Sequence, residues 1–417
     1  MTAQFFPPQA RYGIVALFIV QALARSSGSA LPFREECISN VSSPSAISIP
    51  HTPALQSAAS TTSLLVANTP TSAFRDRVPI IPQFRPVHVD VGGAHLDFGD
   101  VFDVPRLEAA LDARILEWRQ VKDVASETLE DLGCWDIQNK TWEAERLYLE
   151  APVDLNLDLS YTLAPKWIQS TSDDGGGDPN MLMWPLASLV RFNQRATLPP
   201  PTLSPAHRTA LPPDEHLFCC NTLYFGISAL EAATDVSPAW RAVGQHLHFT
   251  PKIQDIAASY TRRTLGVTMD QPIPPYIAVH ARRGDFQIWC NIRYYTPVDQ
   301  CFAPLAAFIR RVEEVRAAIL ARTDVSVERV IVTSDEQDPG WWDSVAALGW
   351  LRPDHSATVD MHGPWYPMFI DAVIHAGAAG FVGTDTSTVS ILARRRVESR
   401  GGVTEMVKWG KPGADDH

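Results

Sequence analysis

Tyr276-Ile-Ala-Val-His-Ala-Arg-Arg-Gly-Asp-Phe286 is an apolar run that ends abruptly in a histidine, two arginines and a glycine. A run of this kind is typical of a strand buried on both faces of a parallel sheet, and ligands of open α/β sheets bind at the carboxyl ends of such strands. Because side chains alternate along a strand, His280 and Arg282 lie on one face and Arg283 on the other. The stretch therefore predicts an α/β fold with a ligand site at this strand end.

The residues that end this run have the chemistry of a phosphate site. A guanidinium offers a planar fork of donors that matches phosphate oxygens, so Arg282 is the candidate ligand-binding group. Gly284 allows the backbone to turn away without placing a side chain in the site. The alternative is structural, because both arginines could instead form salt bridges at the strand end.

Strands and helices alternate through the second half of the chain, which predicts a parallel sheet. The predicted strands, besides the one at 276–279, are 329–333 and 381–382. The predicted helices are 304–323, 340–348, 366–376 and 389–396.

The turn Gly383-Thr-Asp-Thr-Ser-Thr388 lies between a predicted strand and a predicted helix. Its backbone N–H groups and the hydroxyls of Thr384, Ser387 and Thr388 surround a helix amino terminus, where anions are favoured. A plain helix cap is the alternative, since serine and threonine are ordinary capping residues. Arginines 394–396 fall in the last turn of that helix, where cations suit the dipole, and are interpreted as structural.

The first half of the chain is less regular. Residues 101–104 predict a short strand or turn before a helix at 105–112 that proline opens, and 217–223 predict a buried strand carrying Cys219 and Cys220. The proline-rich segment 198–213 predicts a surface connection. The loop 173–179 contains carboxylates beside glycines, which indicates a solvated turn more than a metal site.

The amino-terminal region predicts targeting rather than fold. Residues 1–25 combine Arg11 with a short apolar run and Ala22-Leu23-Ala24, which favours a signal peptide or short membrane anchor. Residues 26–75 are rich in Ser, Thr, Ala and Pro and are predicted to be a disordered stalk. The formal net charge of −12 argues against nucleic acid or an anionic membrane surface as a partner.

The motif at 280–286 carries a family resemblance. Together with Trp289-Cys290, Cys301-Phe302 and the strand ending Val330-Ile-Val-Thr-Ser-Asp-Glu336, it resembles the GDP-fucose protein O-fucosyltransferase family, particularly divergent fungal members. Residues 371–396 resemble the family's closing nucleotide-site segment. The resemblance is strong over residues 275–410 and faint over residues 98–270.

The resemblance implies two Rossmann-like domains with the active site in the cleft between them, a glycosyltransferase B-type architecture. The domains would be 76–270 on the acceptor side and 271–417 on the GDP-fucose side. It further implies a disulfide between Cys290 and Cys301, and it makes Asp371 the residue that recognises guanine, whose adjacent N–H groups a carboxylate can accept. The implied donor-binding residues are His280, Arg282, Gly284, Asp371, Thr384, Ser387 and Thr388. The aromatic residues Trp365 and Phe369 could mark a sugar platform, although core packing is the ordinary role of such residues.

The implied reaction is an inverting, metal-independent transfer of fucose from GDP-fucose to a hydroxyl of a protein or glycan, in the lumen of the endoplasmic reticulum or Golgi. Arg282, the catalytic candidate, would stabilise charge on the departing β-phosphate. No cofactor and no metal are expected, and the chain contains no Asp-x-Asp triplet. Membrane contact would occur only through the possible anchor.

Two alternatives follow from the same residues. Family members carry a glycine- and asparagine-rich loop after the first strand; Phe192-Asn-Gln-Arg195 looks similar but follows residues 101–103, where that loop should not fall. A catalytically inactive relative that binds GDP-sugar or glycan is therefore the alternative function. An adhesive role for Arg283-Gly284-Asp285 is disfavoured, because the tripeptide ends an apolar strand.

Overall fold

The computed structural model describes part of the first half of the chain and nearly all of the second. The described residues are 13–17, 77–84, 95–123, 125–136, 155–165, 169–170, 180–181, 198–213, 217–220, 240 and 243–416. The predicted stalk and the segments 173–179 and 192–195 lie outside these residues. By contacts the chain divides into two compact units, of which the second consists mainly of His248–His417.

The first unit contains a six-stranded parallel sheet of order β3-β2-β1-β8-β4-β5 and a small antiparallel pair, β6-β7. The strands are β1 Gly13–Leu17, β2 Arg77–Ile81, β3 Leu116–Glu117, β4 Glu130–Asp136, β5 Leu157–Leu163, β6 Gln169–Ser170, β7 Asn180–Met181 and β8 Leu217–Cys220. The helices are α1 Phe98–Val101, α2 Val104–Leu111 and α3 Trp118–Val121, and a 3-10 turn spans Gly244–His246.

The second unit is built on a four-stranded parallel sheet of order β10-β9-β11-β12. The strands are β9 Tyr276–Ala281, β10 Arg329–Ser334, β11 Gly380–Thr384 and β12 Val403–Val407. The helices are α4 Pro251–Leu265, α5 Gln287–Ile292, α6 Val298–Cys301, α7 Leu305–Thr323, α8 Pro339–Ala347, α9 Thr358–His362, α10 Tyr366–Gly377 and α11 Thr388–Glu398.

Strand β9 is buried on both faces, as its apolar sequence predicts. Ile277 and Val279 pack into the core beneath α7, whereas Tyr276 and Ala278 pack on the opposite face with residues of α4, α10 and α11. By the same alternation His280 lies on the second face, at the carboxyl end of the strand. The α/β class with parallel strands is thereby confirmed.

The predicted helices and strands of the second half are all present, with boundaries shifted by only a few residues. The unit begins earlier than the predicted boundary at residue 271, because α4 packs against α10. In the first half, the helix opened by Pro105 is confirmed as α2. Residues 101–104 do not form a strand: Val101 ends α1, Val104 begins α2, and Phe102 between them is extended in an isolated bridge.

Strand β1 lies within the residues predicted to be a signal peptide or anchor. It pairs in parallel with β2 on one side and β8 on the other. A cleaved leader would not contribute a strand to the mature sheet, so this pairing and the leader prediction are mutually exclusive. The first residue of the mature protein distinguishes them, since cleavage near Arg25 would remove the strand.

Two disulfides crosslink the described residues. Cys290–Cys301 joins α5 to α6 directly after the arginine motif, which confirms the pairing that the resemblance implied. Cys134–Cys219 joins neighbouring strands β4 and β8 and was not predicted, although Cys219 does lie on the expected buried strand. Both bonds are consistent with a secreted or lumenal protein. Among the described residues, none of the helices combines the length and the apolar character needed to cross a bilayer.

Candidate functional site

The site is formed where three parallel strands of the second unit end side by side. In the sheet, His280 of β9 pairs with Gly383 of β11, and Ala281 pairs with Ser334 of β10. The segments that leave these strands are therefore neighbours: the arginine motif after β9, Asp335-Glu336 after β10, and the threonine-rich turn after β11. Parallel pairing thus brings together the two constellations that the sequence analysis had identified separately.

Arg282 lies at the centre of this edge. Its backbone N–H donates to Thr384 Oγ1 at 2.9 Å, which ties the arginine motif to the turn after β11. Its guanidinium Nη2 donates to Asp285 Oδ2 at 2.6 Å, while Nε lies 3.2 Å from Asp335 Oδ2 without hydrogen-bond alignment. The side chain is 13% exposed, so the guanidinium is largely desolvated and its interactions are strong.

Arg283 has the structural role that strand alternation allowed for one of the two arginines. Its Nε donates to Glu336, and its guanidinium lies 4.7 Å from the Phe302 ring centroid and 5.4 Å from that of Trp341. Its backbone N–H donates to Asp335 Oδ1 at 2.7 Å. Both arginines therefore form salt bridges, as the structural alternative predicted: Arg283 pairs with Glu336 and packs on aromatic rings, whereas Arg282 pairs with Asp285 and Asp335 in the strand-end cluster.

Gly284 is required because the backbone approaches a side chain closely. A Cβ atom at this position would lie 2.8 Å from Asp335 Oδ2, the carboxylate oxygen nearest to Arg282 Nε. Any larger residue would therefore displace Asp335 from the arginine. Close approach to Asp335, in addition to the turn expected from the sequence, therefore accounts for the glycine at position 284.

Thr384 and Ser390 connect β9 to the helix after β11. Thr384 Oγ1 donates to the backbone oxygen of His280 at 3.1 Å, and Ser390 Oγ accepts from the Thr384 N–H at 3.0 Å. Ser390 Oγ also lies 2.8 Å from His280 Nδ1. Ser390 Oγ thus links the His280 ring to the backbone at Thr384.

Two buried histidines, His280 of β9 and His375 of α10, pack against each other at the strand ends. Burial, and then the nearby Arg282 charge, lowers the pKa of His280 to about 3. Burial, and then His280, lowers the pKa of His375 to about 3. The His375 ring centroid lies 5.4 Å from that of His280, and its Nε2 lies 2.6 Å from Thr333 Oγ1. Both rings are therefore neutral at physiological pH, and Arg282 is the cation of this cluster.

The turn between β11 and α11 has the geometry of a capped helix start. Ser387 is the N-cap and accepts from the Ser390 N–H, while Thr386 has a left-handed backbone with φ of 63°. Trp409 supports this turn, because its Nε1 donates to the Asp385 oxygen at 2.9 Å and lies 3.3 Å from Thr386 Oγ1. The indole also stacks on Phe286 at 4.6 Å, so it contacts the arginine motif as well.

The arginines at the far end of α11 have structural contacts, as the sequence analysis interpreted them. Arg394 Nε lies 2.8 Å from Glu398 Oε1, and the Arg396 guanidinium lies 4.7 Å from the Phe249 ring centroid.

Asp371 projects from α10 at a partly exposed position. Its Oδ1 lies 2.9 Å from His355 Nε2. His375 follows on the same helix face one turn later and packs against His280, so Asp371 is adjacent to the strand-end cluster. Trp365 and Phe369 stack parallel to each other and are buried, which gives them a core role rather than that of an exposed sugar platform.

Several residues of the cluster were not identified from the sequence. Asp335 directly follows a predicted strand, but the sequence predicted no role for it, and no local pattern points to Ser390, His355, His375 or Trp409. Their partners are distant in sequence: the contact between His280 and Ser390 spans 110 positions. Only strand pairing in the folded chain brings such residues together.

One group in the described part of the first unit could hold a metal ion: Asp131, Asp158 and His207. Its atoms already bind one another. His207 Nδ1 lies 2.5 Å from Asp131 Oδ1, and Asp158 accepts from the backbone N–H groups of Ala206 and His207. The hydrogen bond to Asp131 raises the pKa of His207. The group is therefore a hydrogen-bonded attachment of the proline-rich connection to β4 and β5.

Comparisons with known proteins identify the fold. No family model matches the chain, and no curated protein matches its sequence. The crystal structure of apo POFUT1 is similar with a TM-score of 0.50 and 13% identity, over 95% of this chain and 98% of that chain. POFUT1 in complex with GDP-fucose has a TM-score of 0.49 and 14% identity, over 96% and 98%. The fucosyltransferase NodZ from Bradyrhizobium has a TM-score of 0.26 and 15% identity, over 45% and 53%. The chain thus shares the α/β fold of POFUT1.

Proposed function

We propose that the chain is a glycosyltransferase that transfers fucose from GDP-fucose to a hydroxyl of a protein or glycan with inversion of configuration. The observation that carries the proposal is the hydrogen bond from the Arg282 backbone N–H to Thr384 Oγ1, which holds the residue with the desolvated guanidinium beside the turn that leads into α11. Each feature alone has an ordinary structural explanation; together they form a site for a dianionic pyrophosphate. The similarity of fold to POFUT1, whose structures include a GDP-fucose complex, supports the same donor.

The chemistry required of the chain is stabilisation of the leaving group. When the bond from fucose to the β-phosphate breaks, negative charge grows on the phosphate oxygens. In this proposal Arg282 donates to those oxygens, and the amino end of α11, with Ser387 and Thr388, contributes N–H and hydroxyl groups. His280 remains neutral beneath them, with its ring held by Ser390, so it adds no titrating charge to the site.

The bound phosphate would share Arg282 with two carboxylates. Asp285 and Asp335 already contact the guanidinium, and both are partly exposed. The Arg282 side chain is thereby fixed toward the strand ends before a ligand arrives, which lowers the entropic cost of binding. The two carboxylates also repel a bound phosphate. This repulsion favours a ligand whose phosphates reach the amino terminus of α11, because backbone N–H donors there offset it.

The remaining assignments belong to the same proposal. His248–His417 would be the Rossmann-like donor domain, and the first unit would be the Rossmann-like acceptor-side domain of a glycosyltransferase B-type enzyme. The Cys134–Cys219 and Cys290–Cys301 disulfides support residence in the secretory lumen. Asp371 would recognise guanine, since a carboxylate accepts from two adjacent N–H groups.

A catalytically inactive GDP-sugar-binding relative is the second candidate, and one observation favours it. With β1 at Gly13–Leu17, the residues that follow, 18–25, contain no glycine and no asparagine, so the loop that family members carry after their first strand is not matched there. The two candidates share donor binding and differ in turnover.

Donor binding is tested by thermal unfolding of the purified chain with a panel of nucleotides. We expect GDP and GDP-fucose to raise the melting temperature and UDP and UDP-sugars not to, because a ligand at ~100 times its dissociation constant adds about 2.7 kcal/mol to the free energy of unfolding. Equal stabilisation by UDP would contradict the guanine assignment. GDP binding without fucosyl transfer or GDP-fucose hydrolysis would favour the inactive relative.

Metal independence is tested by removing divalent ions. We expect turnover of GDP-fucose to persist in excess chelator, because Arg282 and the α11 terminus supply the positive potential that a metal would otherwise supply at the phosphates. Turnover is measured as released GDP, with and without added manganese or magnesium. Loss of activity on chelation and recovery with either ion would show that this part of the proposal is wrong.

A further inference from the structure

A chain of hydrogen bonds in the second unit ends at Asp371. Tyr260 OH lies 2.7 Å from Thr358 Oγ1, which lies 3.1 Å from His355 Nδ1. On the other side of the imidazole, Nε2 lies 2.9 Å from Asp371 Oδ1. Tyr260 and Thr358 are fully or almost fully buried, whereas the His355 and Asp371 side chains are 24% and 25% exposed. This chain of hydrogen bonds therefore runs from the core to the surface.

The direction of the last of these hydrogen bonds follows from the carboxylate of Asp371, at which the chain of hydrogen bonds ends. A carboxylate only accepts, so His355 Nε2 carries a proton and donates to Asp371. On the other side of the ring, Thr358 Oγ1 lies within hydrogen-bond distance of both Nδ1 and the Tyr260 hydroxyl. The Tyr260 ring also stacks on the imidazole at 5.6 Å, so the ring of His355 is held in position.

The hydrogen bond from His355 determines which acceptors of Asp371 remain for a ligand. His355 occupies one lone pair of Oδ1, which leaves Oδ2 and the remaining lone pair of Oδ1 as acceptors on a partly exposed carboxylate. Asp371 lies four residues, about 6 Å along the helix axis, before His375, which packs on His280 of the arginine motif. An acceptor-only group therefore stands beside the proposed phosphate site.

We propose that His355 is a positioning residue for base recognition, which holds Asp371 so that its free acceptors meet two adjacent N–H donors of a purine ring. This inference rests on the proposed function, and it assigns the residues that determine base specificity at the same site. Guanine presents N1–H beside the 2-amino group and fits. Uracil presents one N–H between two carbonyl oxygens, which a carboxylate repels, and adenine places an unprotonated ring nitrogen beside its amino group.

The experiment compares two ligands that share phosphates and differ in the base. GDP and inorganic pyrophosphate are titrated by calorimetry into the full chain and into His355→Leu, His355→Gln and His362→Leu. Leucine removes the donor to Asp371, whereas a glutamine amide can still supply one. His362 is the matched control, because it also packs beside Tyr260, at 6.3 Å, and has no described hydrogen bond to Asp371.

We expect His355→Leu to weaken GDP about 10-fold, the effect of one lost hydrogen bond, and to leave pyrophosphate unchanged. His355→Gln should stay within about 3-fold of the parent for GDP, and His362→Leu should match the parent for both ligands. In an Asp371→Asn background, His355→Leu should have no further effect, since residues acting through one contact are not additive.

Two results would overturn the inference while leaving the proposed function intact. In the first, the parent prefers GDP to UDP but His355→Leu binds GDP as tightly as the parent. In the second, His355→Leu weakens GDP and pyrophosphate equally, which would mean that the histidine only supports the local fold. If the parent itself shows no preference for GDP over UDP, the proposed donor is wrong and this inference falls with it.

Discussion

Replacing Arg282 by alanine is expected to lower kcat/KM for GDP-fucose by ~100-fold or more, the usual effect of removing a donor that stabilises charge in the transition state. The lysine variant is the sharper test. It keeps the charge but cannot reproduce the forked contact with phosphate, so GDP affinity should fall by ~10-fold or more. Turnover is measured as GDP release and affinity by calorimetry.

The matched control for Arg282→Lys is Arg394→Lys. Arg394 also contacts a carboxylate in the second unit, but it lies toward the far end of α11 and pairs with Glu398 four residues later. We expect this variant to keep parental GDP affinity and turnover. If Arg282→Lys likewise binds GDP with parental affinity, Arg282 does not contact phosphate and the proposed donor site is wrong.

The second unit could be predicted closely because its signals are local. An apolar run of β9 length, the apolar period of α7 and the prolines that open α8 and α10 each identify an element within a short window. Parallel pairing then fixes the order in which strand ends meet. The arginine motif and the turn at 384–388 could therefore each be placed at a strand end from the sequence, although the contact between them could not.

The contacts that complete the site could not be predicted in this way. Asp335 follows β10 and reaches Arg282 only because β10 pairs with β9, and Trp409 follows β12 yet contacts Asp385 and Phe286. A tryptophan near a chain end gives no sequence signal of such a role. The first half was harder still, since the pairing of Cys134 with Cys219 spans 85 positions and depends on the neighbouring strands β4 and β8.

The segment after β12 matters because it holds Trp409 against the site, and a buried ion pair anchors it. Asp415 is 3% exposed and accepts from Arg311 Nε and Nη2, both at 3.1 Å, and from the Lys408 N–H at 2.9 Å. Burial opposes ionisation, but the hydrogen bonds from Arg311 and Lys408 outweigh it, so the pKa of Asp415 lies below its ordinary value. The anchor joins the chain terminus to α7.

Asp415→Ala is expected to lower the free energy of unfolding by about 3–5 kcal/mol, because it leaves the buried Arg311 without its main partner. Asp416→Ala is the control: that side chain is 79% exposed and lies 4.0 Å from Arg310, so its loss should cost less than about 0.5 kcal/mol. Both values come from urea unfolding at neutral pH. Equal stability of the two variants would mean that the anchor contributes nothing.

The pH dependence supplies an independent check on the same pair. A carboxyl group whose pKa is lowered by folding stabilises the folded state above its unfolded value, near 3.8, and loses that contribution as the pH falls through the folded-state value. The stability difference between the parent and Asp415→Ala should therefore be constant from pH 7 to about pH 5 and shrink below pH 4. Because the segment carries Trp409, donor affinity of the variant should fall together with its stability, whereas a stability loss at unchanged affinity would separate the anchor from the site.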